Sequence, residues 1–279
     1  MAAADIAASL AYINWTVLTG LAVGSFGAVV LGLVRTSATK GYLAFVAFTS
    51  AVFGLLAWLS DGALPNPVDA ELLAIWDGAW TMLRPAALAV FAVLALVTAV
   101  AIARGARSRL VAGAGLAAGV LVLAAAAGSW GGTNLGALLL FVQLAVLSAA
   151  TGGVWAAMIL GHWYLVTPKL PEAPLILFAR VLTGIVAVQL VLFVLWIATG
   201  AGPGGAAGLA ALTGTWALFV WLRLVVGIVF PLIVSWAAVQ TARTRSMESA
   251  TGLLYINVGT IAAGTILAAG LYFGAGLLV

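Results

Sequence analysis

The sequence predicts an all-α polytopic membrane protein with eight transmembrane helices. They form two four-helix bundles related by a parallel internal repeat. Three observations carry this reading. Of 279 residues, 65% are hydrophobic and only 6% are charged. A soluble domain carries about 25% charged residues, so water could not wet this surface. The apolar residues also gather into eight stretches near or above the roughly 20 residues that a helix needs to cross a bilayer. Finally, the basic residues fall in alternate connections.

The spans read as 10–34, 42–60, 86–104, 110–128, 135–165, 174–199, 213–241 and 250–278. They are rich in Leu, Ala, Val and Gly and show no period-2 alternation, which argues against a β-barrel. The first span follows MAAADIAASL, which has no basic region and no clear cleavage site, so it is expected to be retained. Arg35 and Lys40 separate spans 1 and 2. Arg104, Arg107 and Arg109 separate spans 3 and 4. Lys169 lies between spans 5 and 6, with Arg180 just inside span 6, and Arg243 and Arg245 separate spans 7 and 8. Nine of the eleven cations thus share one side, expected to be cytoplasmic in a bacterial inner membrane. Asp5, Asp61, Asp69, Glu71 and Asp77, five of the seven acids, fall on the other side with both termini.

Little chain remains outside the membrane. The longest connection, 61–83, begins Pro-rich. It is expected to continue as a short interfacial helix with Leu72, Leu73, Ile75, Trp76 and Trp80 dipping into lipid. The 200–212 connection is Gly- and Ala-rich and featureless. No soluble redox or nucleotide-hydrolysing module fits in these loops, and no nucleotide loop, serine-nucleophile elbow or zinc-protease motif is present. Catalysis by this chain alone is therefore not expected. The chain is no nucleic-acid binder: its net charge of +4 comes from a few residues in membrane-edge loops. With no cysteine it can carry neither a disulfide nor a cysteine-ligated iron–sulfur cluster.

The two halves, 1–134 and 135–279, share a pattern. Arg84 and Arg104 stand 20 residues apart, as do Arg223 and Arg243, at an offset of 139. Gly24, Ala28, Leu31 and Gly32 match Gly153, Ala157, Leu160 and Gly161 at an offset of 129. Corresponding spans would cross in the same direction, with an axis along the membrane normal. A cleft between the bundles is then the natural place for a lipid-like ligand. Small residues at four-residue spacing, such as Gly20 with Gly24 and Gly115 with Gly119, suggest close helix packing. Pro231 inside span 7 suggests a kink.

Polar residues within a membrane are costly and are the first candidates for function. The single histidine, His162, precedes Trp163 and Tyr164, with Lys169 and Arg180 near the same membrane edge. Imidazole, phenol and cations beside a flat apolar ring suit a quinone headgroup; the same residues also suit a plain interfacial belt. One histidine cannot give bis-His haem, and Met158 stands one turn away on the same helix, so haem is not expected. One histidine and few acids cannot complete a zinc or di-iron site either. A second polar group comprises Arg84, Arg223 and Asp77. Asp77 or another outer acid can pair with Arg84, whereas Arg223 has only carbonyls and uncharged polar groups in reach. Gln143, Gln189, Gln240 and Asn257 suit bonds between helices. No acid lies inside a span, which disfavours a carboxylate proton relay. Lys40 and Lys169 at the membrane edge disfavour retinal.

Trp15, Trp58, Trp76, Trp80, Trp130, Trp196, Trp216 and Trp221 crowd the outer side. There they form either an interfacial belt or a docking face for an outer partner. These features favour an accessory subunit of a respiratory or photosynthetic electron-transfer complex, set among other membrane or redox subunits. It would hold quinone or lipid, or scaffold the redox partners. A transporter of a small or lipidic solute and a purely structural membrane protein are the alternatives.

Overall fold

The computed structural model describes residues 9–65, 78–167, 169–203 and 208–279. The described chain is helical throughout, and eight of its helices are long and apolar enough to cross a membrane. They are α1 (Leu10–Arg35), α2 (Lys40–Asp61), α3 (Gly78–Ala103), α4 (Arg109–Trp130), α5 (Asn134–Val166), α6 (Ala173–Thr199), α7 (Ala217–Arg243) and α8 (Met247–Ala275). A 3₁₀ turn, Gly208–Leu212, breaks the connection expected to be featureless. Most of the interfacial helix expected in the 61–83 connection lies outside the described residues, as do Asp5, Asp69, Glu71 and Asp77. Trp80 is half-buried rather than part of a separate interfacial helix. It belongs to α3, which starts well before position 86 and runs through Pro85, and Gly128 of α4 provides the flat seat for its indole.

Helix ends follow local chemistry. Thr39, Ser108 and Thr133 cap α2, α4 and α5, each hydroxyl accepting a bond from an N–H in the first turn. Gly200 and Gly276 close α6 and α8 in left-handed conformations that a side chain would resist.

Within each half the helices pack in a ring: α1 with α2, α2 with α3, α3 with α4, α4 with α1, and likewise α5 through α8. The rings meet along α1 and α5. That seam depends on two glycines. A Cβ at Gly24 would stand 1.7 Å from the Ser148 carbonyl oxygen, and one at Gly152 would stand 2.0 Å from the Ser25 nitrogen. Backbone therefore meets backbone, the contact open to helices that lack a hydrophobic drive to associate.

The four basic connections share one end of the molecule. Arg107 Nη2 donates to the Ala38 carbonyl at 3.1 Å, joining the first two, and Arg245 stands 3.8 Å from Glu172, joining the last two.

Candidate functional site

The polar interior resolves into two buried arginines, one in each half, and an apolar cavity between the halves.

Arg84 is charge-matched. Its Nε donates to Asp61 Oδ1 at 2.5 Å and its Nη2 to Oδ2 at 3.4 Å. The last residue of α2 thus meets the early part of α3 as a two-point fork. The guanidinium also lies 4.6 Å from the Trp130 ring and 5.9 Å from that of Trp15. Those rings meet edge to face at 4.8 Å, so the cation gains an aromatic wall as well as a counterion. The acid here is Asp61; Asp77, the other candidate partner, lies outside the described residues.

Arg223 is fully sequestered at 2% exposure, and among the described residues no acid pairs with it. It donates to Gln189 Oε1 at 3.1 Å, to the Gly227 carbonyl at 3.1 Å and to the main-chain oxygen of Val279 at 3.4 Å. The local chain explains the second bond. Pro231 has no N–H to offer the Gly227 carbonyl four residues before it. The helix widens into a π-segment over Val225–Val229, and Arg223 Nη1 reaches that carbonyl. Gly227 and Gly264 make room, since a Cβ on either would come within 2.6 Å of the other's Cα. Beside the guanidinium is a narrow gap lined by Gln143, Gln189, Trp196 and Val279, and Gln143 Oε1 has no partner there.

The cavity, about 230 Å³, lies between α1, α4, α5 and α6. Gly24, Gly27, Leu116, Ser148, Gly153 and Phe178 are among its lining residues. Its lining is hydrocarbon apart from Ser148. Val120 and Val181 on its walls are 44% and 37% exposed, so it opens sideways onto the apolar belt of the molecule.

The residues grouped around His162 do not converge. Successive residues of a helix point about 100° apart, and these three take separate directions. His162 is exposed and stands 3.5 Å from the Tyr255 hydroxyl of α8. Trp163 packs on Gly41 at the start of α2. Tyr164 is buried and donates to the Pro171 carbonyl. Lys169 and Arg180 are exposed. Of the intramembrane amides, Gln189 also donates to the Val146 carbonyl and Asn257 to the Pro231 carbonyl, both between helices. Gln240 instead accepts from Arg243 within α7. Several outer tryptophans serve the interior: Trp15, Trp130 and Trp196 are buried, while Trp58 and Trp221 remain exposed.

Sequence reasoning missed the glycine pair at 227 and 264 and the indole walls around Arg84. The i, i+4 relation of Gly227 to Pro231 was the available signal for the freed carbonyl. Comparison of the chain with protein-family models, curated proteins and solved structures finds no match.

Proposed function

We propose that this chain is an accessory integral-membrane subunit that holds a long-tailed lipidic molecule, a quinone or a lipid, between its two halves. The single observation that carries the reading is the hydrocarbon-lined cavity between α1, α4, α5 and α6, which opens toward the bilayer core. A site with almost no polar lining can sort molecules by their tails but cannot perform chemistry on them. The electron-transfer setting draws its support from connections too short to hold a redox domain, which leaves that chemistry to other chains. The reactions would belong to partner chains. The basic end faces the cytoplasm of a bacterial inner membrane in this reading, and both termini face the periplasm.

The halves are read as a four-plus-four duplication. In support, each packs as a ring, and Arg84 and Arg223 occupy the same place on the third helix of their halves. A second reading, transport of a small anionic solute, is favoured by Arg223, which has no acidic side chain beside it among the described residues and stands next to a π-segment and a proline.

The test is mass spectrometry of the protein released gently from its native membrane. A retained quinone or lipid together with redox chains is the expected result. A chain that emerges alone and empty would overturn the proposal. Liposomes in which the protein moves an anionic solute, and in which Arg223→Ala stops that movement, would favour the transport reading instead.

A further inference from the structure

We infer that the cavity takes the acyl chain of an anionic phospholipid whose phosphate is held by Arg35 and Arg109. This assignment rests on the reading of the cavity as a lipid-holding site and names its ligand class.

The argument is one of register. On α1 the cavity is lined by Gly24, Gly27, Ala28 and Leu31. Arg35 follows Leu31 by four residues, so it continues that stripe to the basic end, about 6 Å further along the axis. On α4 the lining residues are Leu116, Val120 and Leu123. Arg109 precedes Leu116 by seven residues, two turns on the same face and about 10 Å along the axis. The two helices pack together, and the bond from Arg107 to the Ala38 carbonyl draws their connections to one corner. Both arginines are exposed, and among the described residues neither makes an ion pair.

A hydrocarbon slot therefore ends beneath two unpaired guanidiniums at the depth of the headgroups. Arginine forks match phosphate oxygens. A diacyl lipid supplies both parts, one chain for the slot and an anion for its mouth, and anionic lipids are plentiful on a cytoplasmic leaflet. Arg180 lacks such a slot: it points away from the face formed by Phe178, Val181, Leu182 and Ile185.

The experiment reconstitutes the full chain in vesicles of equal parts phosphatidylcholine and phosphatidylglycerol, extracts it, and reads the retained lipid by native mass spectrometry. Retained phosphatidylglycerol should exceed phosphatidylcholine by roughly thirtyfold, the ratio that two basic residues at about 1 kcal/mol each would give. The Arg35→Gln/Arg109→Gln variant should still hold a lipid but lose most of that preference. Arg104→Gln/Arg243→Gln, which keeps the overall charge of the first variant, should retain it. Three results would overturn the headgroup assignment: no preference in the wild type, a preference that survives the Arg35/Arg109 change, or an equal loss in the control. Retention of a quinone without any phospholipid preference would also overturn it, while leaving the lipid-holding reading intact. If Gly153→Phe, which puts a ring into the slot, leaves lipid retention unchanged, the cavity reading itself fails.

Discussion

The two flanks of the α1–α5 seam are built to different standards. On one flank, α2 and α8 close against the seam. Trp155 of α5 packs edge to face on Phe53 of α2 at 5.6 Å and donates to Thr49 Oγ1 at 3.4 Å. The Tyr42 hydroxyl donates to the Ala156 carbonyl at 3.0 Å, and Thr151 meets Thr265 at 2.8 Å. On the other flank, α4 and α6 leave the cavity, with no side-chain hydrogen bond across it among the described residues. Fixed polar bonds and large rings make a joint; small side chains around a slot make a place for something else. The buried arginines repeat the contrast. Arg84 has its acid and its indoles, whereas Arg223 has an amide, two main-chain oxygens and a gap. A fold that fills one site of each kind fully is able to fill the other, so the unfilled members are the better candidates for function.

Gly152→Leu breaks the comparison at its root, because both flanks hang on the seam. A side chain there would run into the backbone of α1. The expected outcome is no folded monomer, read as loss of the monodisperse peak in mild detergent. Asp61→Asn tests the matched arginine next. It leaves a buried guanidinium without its counterion and should cost about 3–5 kcal/mol. Arg84→Met/Asp61→Leu should recover most of that loss, since the pair is removed as a unit; both are read from reversible unfolding in detergent or bicelles. Trp155→Ala strips the closed flank of its main ring and should cost about 1–3 kcal/mol, lowering the melting temperature without emptying the cavity. Smallest is Gly153→Leu on the open flank. A Cβ there meets nothing closer than Leu182 at 4.0 Å, so the change in stability should stay within about 1 kcal/mol. An effect as large as that of Trp155→Ala would mean that the two flanks are equally packed.

Much of the fold was legible in the sequence. Length, hydropathy and the alternate basic loops locate all eight spans within a few residues at most ends, because the bilayer imposes a length and a charge rule that any single helix must obey alone. The start of α3 was the exception: Arg84 and Pro85 look like a boundary until Asp61 and two indoles accept the charge. That acceptance is a tertiary event and leaves no local trace. The amides at Gln189 and Asn257 bond between helices as their depth suggests. The His162 run illustrates the opposite limit. Adjacent letters in the sequence look like a cluster, but helix geometry turns His162, Trp163 and Tyr164 toward α8, α2 and Pro171 respectively. The cavity was foreseen as a cleft between halves, but its side and its walls depend on which helices flank the seam, and hydropathy does not carry that information.

The most direct measurement compares retained quinone and lipid in the wild type, in Gly153→Phe and in Trp155→Ala, each extracted from the same native membrane under the same mild conditions. The account predicts that Gly153→Phe folds but emerges empty, while Trp155→Ala is less stable yet keeps its ligand. A filled slot that still carries the same molecule, or a wild type that carries none, would contradict it.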